Sequence, residues 1–319
     1  MDDRPQESSG DLYWHRRVLE DLANASIKEQ RAARRWGIFF KILFALYLIV
    51  GLLAWVGLSQ QDLSLSSDSH TAVVELNGVI SHESASSADK VVKGLRDAFK
   101  HKGTKAVVVR INSPGGSPVQ SAYIHDEMLR LRKKYPKIPL YAVVSDICAS
   151  GGYYVASAAE KIYANESSLV GSIGVLMNGF GFVDAMKELG IERRLLTAGE
   201  HKGLMDPFSP LKETDKAHVQ SLLDGLHTQF IKAVKAGRGD RLKADERIFS
   251  GLYWSGLEAK ELGLVDEFGS TSSVAREVVG EEETLNFTRK EDLLERFAKR
   301  MGAGMSEALL QAAGGFGLR

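Results

Sequence analysis

The stretch "IPLYAVVSDICASGGYYVASAA", residues 138–159, joins a strand pattern to a helix pattern through a serine and two glycines. Residues 138–145 are largely apolar, which is typical of a buried strand. Ser150 stands on the turn, where the following helix would hold its hydroxyl exposed and fixed in position. Gly151 and Gly152 leave room for backbone N–H groups to approach a bound carbonyl. Taken alone, the pattern fits either a nucleophilic serine or a helix N-cap followed by turn glycines.

Strand and helix patterns alternate on both sides of this stretch. Strands are predicted at 71–80, 105–111 and 138–145, and helices at 84–100, 117–135, 212–237 and 255–265. Alternation of this kind predicts an α/β fold with right-handed crossovers and a parallel sheet.

A second glycine-bearing turn, "NSPGG" at 112–116, follows the strand at 105–111. The carboxyl ends of neighbouring parallel strands meet at one edge of a sheet, where ligands bind. We therefore expect this turn to lie beside Ser150. The N–H groups of Gly115 and Gly116 are then candidates for an oxyanion hole.

A serine nucleophile needs a base, and the loop "AGEHKGLMDPFSP" at 198–210 offers His201 and Lys202 side by side. An imidazole or a neutral lysine can each accept the proton of a serine hydroxyl. Ser172, in "SSLVGSIGV" at 167–175, could orient such a base. Spacing alone does not decide between His201 and Lys202.

Five segments in this order closely resemble the signal peptide peptidase (SppA) family of serine proteases. They are "NSPGGSP" (112–118), "ASGGYYVASAA" (149–159), "VGSIGV" (170–175), "GEHKGLMDPF" (199–208) and "SGLEAKELGLVDEFGS" (255–270). The resemblance covers about residues 70–275 and is to the short type, with one copy of the catalytic region. It implies a Clp protease/crotonase-like fold of repeated ββα/βαβ units.

The resemblance also implies roles for individual residues. Ser150 would be the nucleophile and Lys202 the general base of a Ser-Lys dyad, with Ser172 orienting the lysine. Gly116 and Gly151 would supply the oxyanion N–H groups. No metal or cofactor is expected.

Composition narrows the function classes. The 319 residues carry 41 basic and 41 acidic side chains, so nothing indicates nucleic-acid binding. The single cysteine, Cys148, excludes an intrachain disulfide and a Cys/His zinc pattern, and we expect it to be a small buried residue.

Residues 36–58, "WGIFFKILFALYLIVGLLAWVGL", predict one transmembrane helix because they are apolar and exceed the roughly 30 Å thickness of the hydrocarbon core. Basic residues precede the run, and none occurs between Lys41 and Lys90. The positive-inside rule then predicts a cytoplasmic N-terminus and a periplasmic catalytic domain at a bacterial inner membrane. A cleaved signal peptide ending near Ser59 is the alternative. The predicted segments are 1–35 (cytoplasmic), 36–58 (transmembrane), 59–70 (linker), 71–280 (catalytic) and 281–319 (C-terminal extension).

The resemblance implies a membrane-anchored endopeptidase acting on cleaved signal peptides and other apolar peptides near the bilayer. It also implies a ring-shaped homo-oligomer in which neighbouring subunits share a site. Helix 212–237 is a candidate interface, with a stripe formed by Val219, Leu222, Leu223, Leu226 and Phe230. The alternatives are a crotonase-like acyl-CoA enzyme, an inactive membrane scaffold of the same fold, and a monomer with its site in cis.

Overall fold

A computed structural model describes residues 9–60 and 69–289. The chain divides into two compact units, residues 1–66 and 67–319. The division falls inside the segment predicted as a linker, of which residues 61–68 lie outside the described residues. Residues 290–319 of the predicted C-terminal extension also lie outside them.

The first unit contains one helix, α1 (Ser9–Gln60). Its stretch Ile27–Leu53 is long and apolar enough to cross a membrane. Trp36 stacks on Phe40 with ring centroids 5.8 Å apart, and both rings are exposed. An exposed apolar surface of this length is what a lipid-facing helix requires.

In the second unit, eight strands within residues 69–289 form one sheet. They are β1 (His70–Asn77), β2 (Thr104–Ser113), β3 (Leu140–Ala149), β4 (Lys161–Ala164), β5 (Leu169–Gly171), β6 (Tyr253–Ser255), β7 (Glu267–Phe268) and β8 (Thr284–Asn286). The main path is β6-β5-β3-β2-β1-β8, while β4 pairs with β3 and β7. Every pairing is parallel except β5 with β6, so the predicted parallel α/β fold is confirmed.

The helices of this unit include α2 (Ala88–Lys100), α3 (Pro118–Lys134), α4 (Gly151–Ala156), α5 (Val183–Glu188), α6 (Glu213–Arg238), α7 (Gly256–Glu261) and α8 (Thr271–Ser273). A π-helical turn, Val274–Val279, continues α8. β8 then joins β1 beyond residue 280, so the sheet extends past the predicted end of the catalytic segment.

Both faces of the sheet are covered, as side-chain alternation along β2 shows. Val107, Val109 and Ile111 enter the main core with residues of α2, α3 and α4. Val108 points to the opposite face, where it packs with Val274 of the π-helical turn. Parallel strands buried on both faces appear in sequence as continuous apolar runs, which explains "AVVV" in β2.

The C-terminal end of α6 is fixed by a buried ion pair. Arg238 is almost fully buried and its guanidinium donates to both carboxylate oxygens of Asp266, at 2.7 and 2.9 Å. Burial raises the pKa of Asp266, but the hydrogen bonds and charge of Arg238 more than offset this and lower it below its usual value. Bidentate pairing compensates the desolvation of both charges, so this end of α6 has a defined position.

Candidate active site

Ser150 lies between β3 and α4, at the carboxyl end of the sheet. Its backbone has φ +51° and ψ −124°, a combination that non-glycine residues rarely adopt. Its N–H donates to the Gly171 carbonyl at 2.9 Å and its carbonyl accepts from Tyr154 N–H at 3.0 Å. The hydroxyl is half-buried and has no hydrogen-bond partner among the described residues. The surrounding chain therefore fixes the backbone of Ser150 and leaves its Oγ available.

The glycine turn after β2 contacts Ser150, as the sequence predicts. A Cβ placed on Gly115 would lie 2.7 Å from both Ser150 Cβ and Gly151 N, so no side chain fits there. Ser113 holds the turn by accepting from Gly115 N–H at 3.1 Å and donating to the Gly78 carbonyl at 2.6 Å. Sequence analysis missed Ser113. Its only signal in the sequence was a hydroxyl at the end of a predicted strand, and the structure shows that this residue is buried.

The N–H groups of Gly116 and Gly151 are both unpaired within the described part of the chain. Ile80 donates to the Gly115 carbonyl and accepts from Ser117 N–H, each at 2.8 Å. Along an extended segment successive amides alternate in direction, so the N–H of Gly116 faces away from Ile80. A Cβ on Gly151 would lie 3.3 Å from that nitrogen. Two unpaired donors beside a serine hydroxyl are the arrangement that an oxyanion hole requires.

Ser172 follows β5 just as Ser150 follows β3. The preceding residues, Gly171 and Ala149, are paired in register on adjacent parallel strands. Ser172 also has φ +51°, and its N–H donates to the Leu252 carbonyl at 2.7 Å. Its hydroxyl has no partner among the described residues, so the two serines stand on neighbouring turns with free hydroxyls.

Lys202 belongs to a different part of the structure. No residue from 174 to 212 is buried, and we call 175–211 the arm. Lys202 is exposed, and its ammonium makes no hydrogen bond or ion pair within the described residues. The structure thus brings together Ser150, Ser172, Gly116 and Gly151, and it shows no contact between them and Lys202.

His201 is held by a partner that sequence analysis missed. Its Nδ1 lies 2.9 Å from Oδ1 of Asp215, a buried carboxylate in the first turn of α6. Its Nε2 lies 4.0 Å from Glu200. Asp215 sits in a charged segment, "KETDK", that predicts only a solvated helix start, so its burial had no sequence signal.

The arm has its own small set of contacts. Phe182 stacks on Phe208 with centroids 5.5 Å apart, and Phe182 N–H donates to the Pro207 carbonyl at 2.7 Å. The Ser209 hydroxyl donates to Asp206 at 2.6 Å, and this bond together with Arg193 lowers the pKa of Asp206. The loop that carries Lys202 is therefore ordered by contacts within the arm and by α6.

Cys148 is fully buried in β3, and burial raises the pKa of its thiol well above the usual range. A thiol that stays protonated is a poor nucleophile, so the expectation of a small packing residue is confirmed. Among residues 9–60 and 69–289 no group of three or more His, Cys, Asp or Glu side chains is placed to hold a metal ion.

The sequence of this chain is similar to those of several known proteins. Residues 132–284 match peptidase family S49, and the match includes Ser150, Ser172 and Lys202. The chain is 32% identical over 199 residues to a Synechocystis protein named "Putative protease slr0021", covering 62% of this chain and 69% of that protein. It is 30% identical over 231 residues to Protease 4 of Haemophilus influenzae, covering 71% of this chain and 36% of that protein.

It is also 40% identical over 220 residues to a Brucella abortus protein named Na(+)/H(+) antiporter NhaA. That alignment covers 69% of this chain and 30% of the Brucella protein, so the chain spans less than a third of that relative.

The mostly parallel α/β sheet and the match to peptidase family S49 together place the chain in the Clp protease-like class of fold. Within that class, the chain belongs to peptidase family S49, in agreement with the resemblance found in the sequence.

Proposed function

We propose that this chain is a membrane-anchored serine endopeptidase in which Ser150 is the nucleophile and Lys202 the general base. The observation that carries the proposal is the Ser150 turn, which combines a free hydroxyl with the unpaired N–H groups of Gly116 and Gly151. Substrates are peptides with apolar segments, including cleaved signal peptides.

The proposed reaction uses the Ser150 turn together with a lysine amine that assembly would bring to it. The neutral amine of Lys202 takes the proton of Ser150 as Oγ attacks the scissile carbonyl carbon. The carbonyl oxygen becomes an oxyanion and accepts hydrogen bonds from the N–H groups of Gly116 and Gly151. Collapse of this intermediate releases the amine, which takes the proton from Lys202, and leaves an acyl-enzyme. A water molecule, deprotonated by Lys202, then attacks the ester carbonyl; the ester C–O bond breaks, the acid product leaves, and Lys202 returns the proton to the Ser150 oxygen.

Two observations favour Lys202 over His201 as the base. Carboxylates face both ring nitrogens of His201, with Asp215 at 2.9 Å from Nδ1 and Glu200 at 4.0 Å from Nε2. The imidazole is therefore engaged in linking the arm to α6, whereas the amine of Lys202 has no partner in the described chain. A His–Asp pair is also the orienting half of a catalytic triad, so the two bases must be separated by experiment.

The site is proposed to form between neighbouring subunits of a ring. Within one chain, α6 attaches to the Lys202 loop through Asp215 and to the Ser172 turn through His227. These residues are twelve positions apart, which places the attachments about 18 Å apart along the helix axis. This separation favours a lysine supplied by the next subunit over one from the same chain.

The exposed apolar side chains of the arm support the same arrangement. They include Leu176, Phe180, Leu189, Ile191 and Leu196, of which Phe180 is 82% and Leu196 96% exposed. An apolar surface of this extent marks an interaction site. The interface predicted on α6 is corrected in part, because Val219 and Phe230 are buried within the subunit, where Phe230 packs on Tyr154. Leu222 and Leu226 remain exposed.

α1 is proposed to anchor the enzyme in the inner membrane, with residues 1–35 in the cytoplasm and the catalytic unit in the periplasm. Its apolar stretch supports insertion, and the orientation is supported by the basic residues that precede Trp36, namely Lys28, Arg31, Arg34 and Arg35. Confinement to the bilayer surface raises the effective concentration of apolar peptides. A cysteine introduced near residue 10 should resist an impermeant maleimide in intact spheroplasts, and labelling there would refute the orientation.

A fluorophosphonate probe tests the proposed activity against its alternatives. An acyl-CoA enzyme or an inactive scaffold of this fold has no need of an activated serine. The detergent-solubilised full chain should be labelled at Ser150, as located by mass spectrometry, and Ser150→Ala should not be labelled. Absence of labelling in the assembled wild-type protein would remove the support for a serine peptidase.

A further inference from the structure

We propose that His227 is a positioning residue that holds the Ser172 turn in its reactive geometry. The inference rests on the proposed function, in which Ser172 orients the lysine base. It identifies an element outside the Ser150, Ser172 and Lys202 set that keeps the second hydroxyl in place.

The N-terminal side of the turn is fixed by the sheet. The Gly171 carbonyl accepts from Ser150 N–H at 2.9 Å, and the Ser172 N–H donates to the Leu252 carbonyl at 2.7 Å. Ser172 itself holds a positive φ, which costs about 1–3 kcal/mol and persists only where surrounding contacts enforce it. Beyond Ser172 the side chain of Ile173 is fully buried in the main core, so it is the Ile173 backbone carbonyl that remains to be secured.

On the C-terminal side that function falls to His227. Its Nε2 lies 3.0 Å from the carbonyl oxygen of Ile173, the residue after Ser172. Within the described chain, the backbone groups of residues 175–181 make no hydrogen bond, and the next one is Phe182 N–H to the Pro207 carbonyl. The His227 contact is therefore the last hydrogen bond between the turn and the body of the subunit before the exposed arm begins.

The chemistry of this contact defines its test. A carbonyl only accepts, so Nε2 of His227 carries the proton and donates it. Gln places an amide N–H at a similar reach, whereas Leu fills the space without a donor. His227 is half-buried on α6, whose far end is locked by Arg238, so the donor approaches from a fixed direction.

His227→Leu should lower kcat about tenfold with little change in KM, since a lost positioning hydrogen bond acts on the reacting geometry. His227→Gln should retain activity within about threefold, because its amide replaces the donor. His218→Leu is the matched control, since His218 is exposed on the same helix and has no hydrogen bond within the described residues. Equal losses in the Leu and Gln variants, or none in either, would overturn the inference. Should His227→Leu not fold, His227→Asn, whose shorter amide does not reach the carbonyl, replaces it.

A double-mutant cycle with Ser172→Ala separates positioning from a general structural effect. If His227 acts through Ser172, His227→Leu should cost less than about twofold once the Ser172 hydroxyl is gone. A full tenfold loss in that background would contradict the proposal.

Amide hydrogen exchange gives a readout that does not depend on activity. Exchange of the Ser172 and Gly174 amides, which donate to the Leu252 and Ser172 carbonyls, should accelerate in His227→Leu and not in His227→Gln, and unchanged exchange would refute the inference by itself. Failure of the proposed function would give a different result. Either the wild-type protein would not hydrolyse peptides, or Ser150→Ala would hydrolyse them at the wild-type rate.

Discussion

The turn that carries Ser150 and the loop that carries Lys202 differ in how much of the subunit surrounds them. Ser150 is followed by three buried residues, and its backbone N–H and carbonyl are both paired. Lys202 lies in an arm of 37 residues, 175–211, that contains no buried residue. One subunit thus fixes the backbone of the proposed nucleophile and leaves the proposed base on an exposed surface.

The largest effect is expected at the turn that carries Ser150. Ser150→Ala should abolish peptide hydrolysis, by about 10⁴-fold or more, because no other hydroxyl occupies the turn. Thermal unfolding should be nearly unchanged, since the hydroxyl makes no hydrogen bond within the described residues. Ser167→Ala, on an exposed turn, is the matched control and should behave as wild type. More than a few per cent of residual activity in Ser150→Ala would rule out this nucleophile.

The next effect tests the arm. Lys202→Ala should lower kcat by about 10³-fold, whereas His201→Ala should cost little. A lysine is a base only when neutral, so the rate should rise from pH 7 into the alkaline range. If activity instead reaches a plateau near pH 7 and His201→Ala and Asp215→Asn are both inactive, the base is His201 and the dyad is wrong.

Mixing the two inactive variants tests whether the two regions come from different subunits. In a ring with shared sites, random exchange of Ser150→Ala and Lys202→Ala subunits restores about one quarter of the sites. Hydrolysis should therefore recover to about a quarter of the wild-type rate after exchange in detergent. Fluorescence energy transfer between labelled subunits provides the control for exchange. No recovery despite demonstrated exchange would show that each site forms within one chain.

Substitutions in the two regions should also differ in what they destabilise. The double change Phe180→Ser and Leu196→Ser should leave the thermal stability of a subunit within about 0.5 kcal/mol, because both side chains are exposed, and should weaken assembly. Val109→Ala, in the buried part of β2, should cost about 2 kcal/mol and leave assembly intact. Light scattering and thermal unfolding distinguish these outcomes, and unaltered assembly in the arm variant would contradict the interface.

The smallest expected effect is on the free energy of unfolding at acid pH, through Glu127 of α3. Glu127 of α3 accepts from Arg130 at 2.7 Å and from Arg96 at 2.6 Å; the Arg130 hydrogen bond is the largest cause that lowers its pKa to about 2. A depressed pKa contributes stability above the ordinary value of 4.5, and this is lost as pH falls toward 2. Glu127→Gln should lower stability by about 1 kcal/mol at pH 7. The difference from wild type should disappear near pH 2, and a constant difference from pH 7 to pH 2 would contradict this assignment.

Much of the region around Ser150 could be predicted from the sequence because the residues that determine it are close together along the chain. Apolar runs predict β2 and β3, and the glycines after them predict tight turns at the same edge of a parallel sheet. The positive φ of Ser172 could not be predicted, because serine ordinarily avoids that region and the local sequence gives no other signal.

The region of the arm and α6 was less predictable because its contacts are distant in sequence. Asp215 and Arg238 appear as ordinary charged helix residues, and their burial depends on His201 and Asp266. The apolar stripe of α6 was interpreted from the sequence as a candidate interface between subunits. The sequence alone does not show which surface packs against this stripe. Val219 and Phe230 are buried within their own subunit.

The backbone at Ser150 and Ser172 occupies a region of φ that glycine enters freely and serine enters at a cost of about 1–3 kcal/mol. A redesign guided only by folding free energy would therefore place glycine at both positions and raise the melting temperature. The same redesign would remove both hydroxyls from the edge of the sheet. Screens for stability should thus find ready gains at the two positions to which the proposed mechanism assigns a hydroxyl, and a loss of activity with each gain would mark them as part of the site.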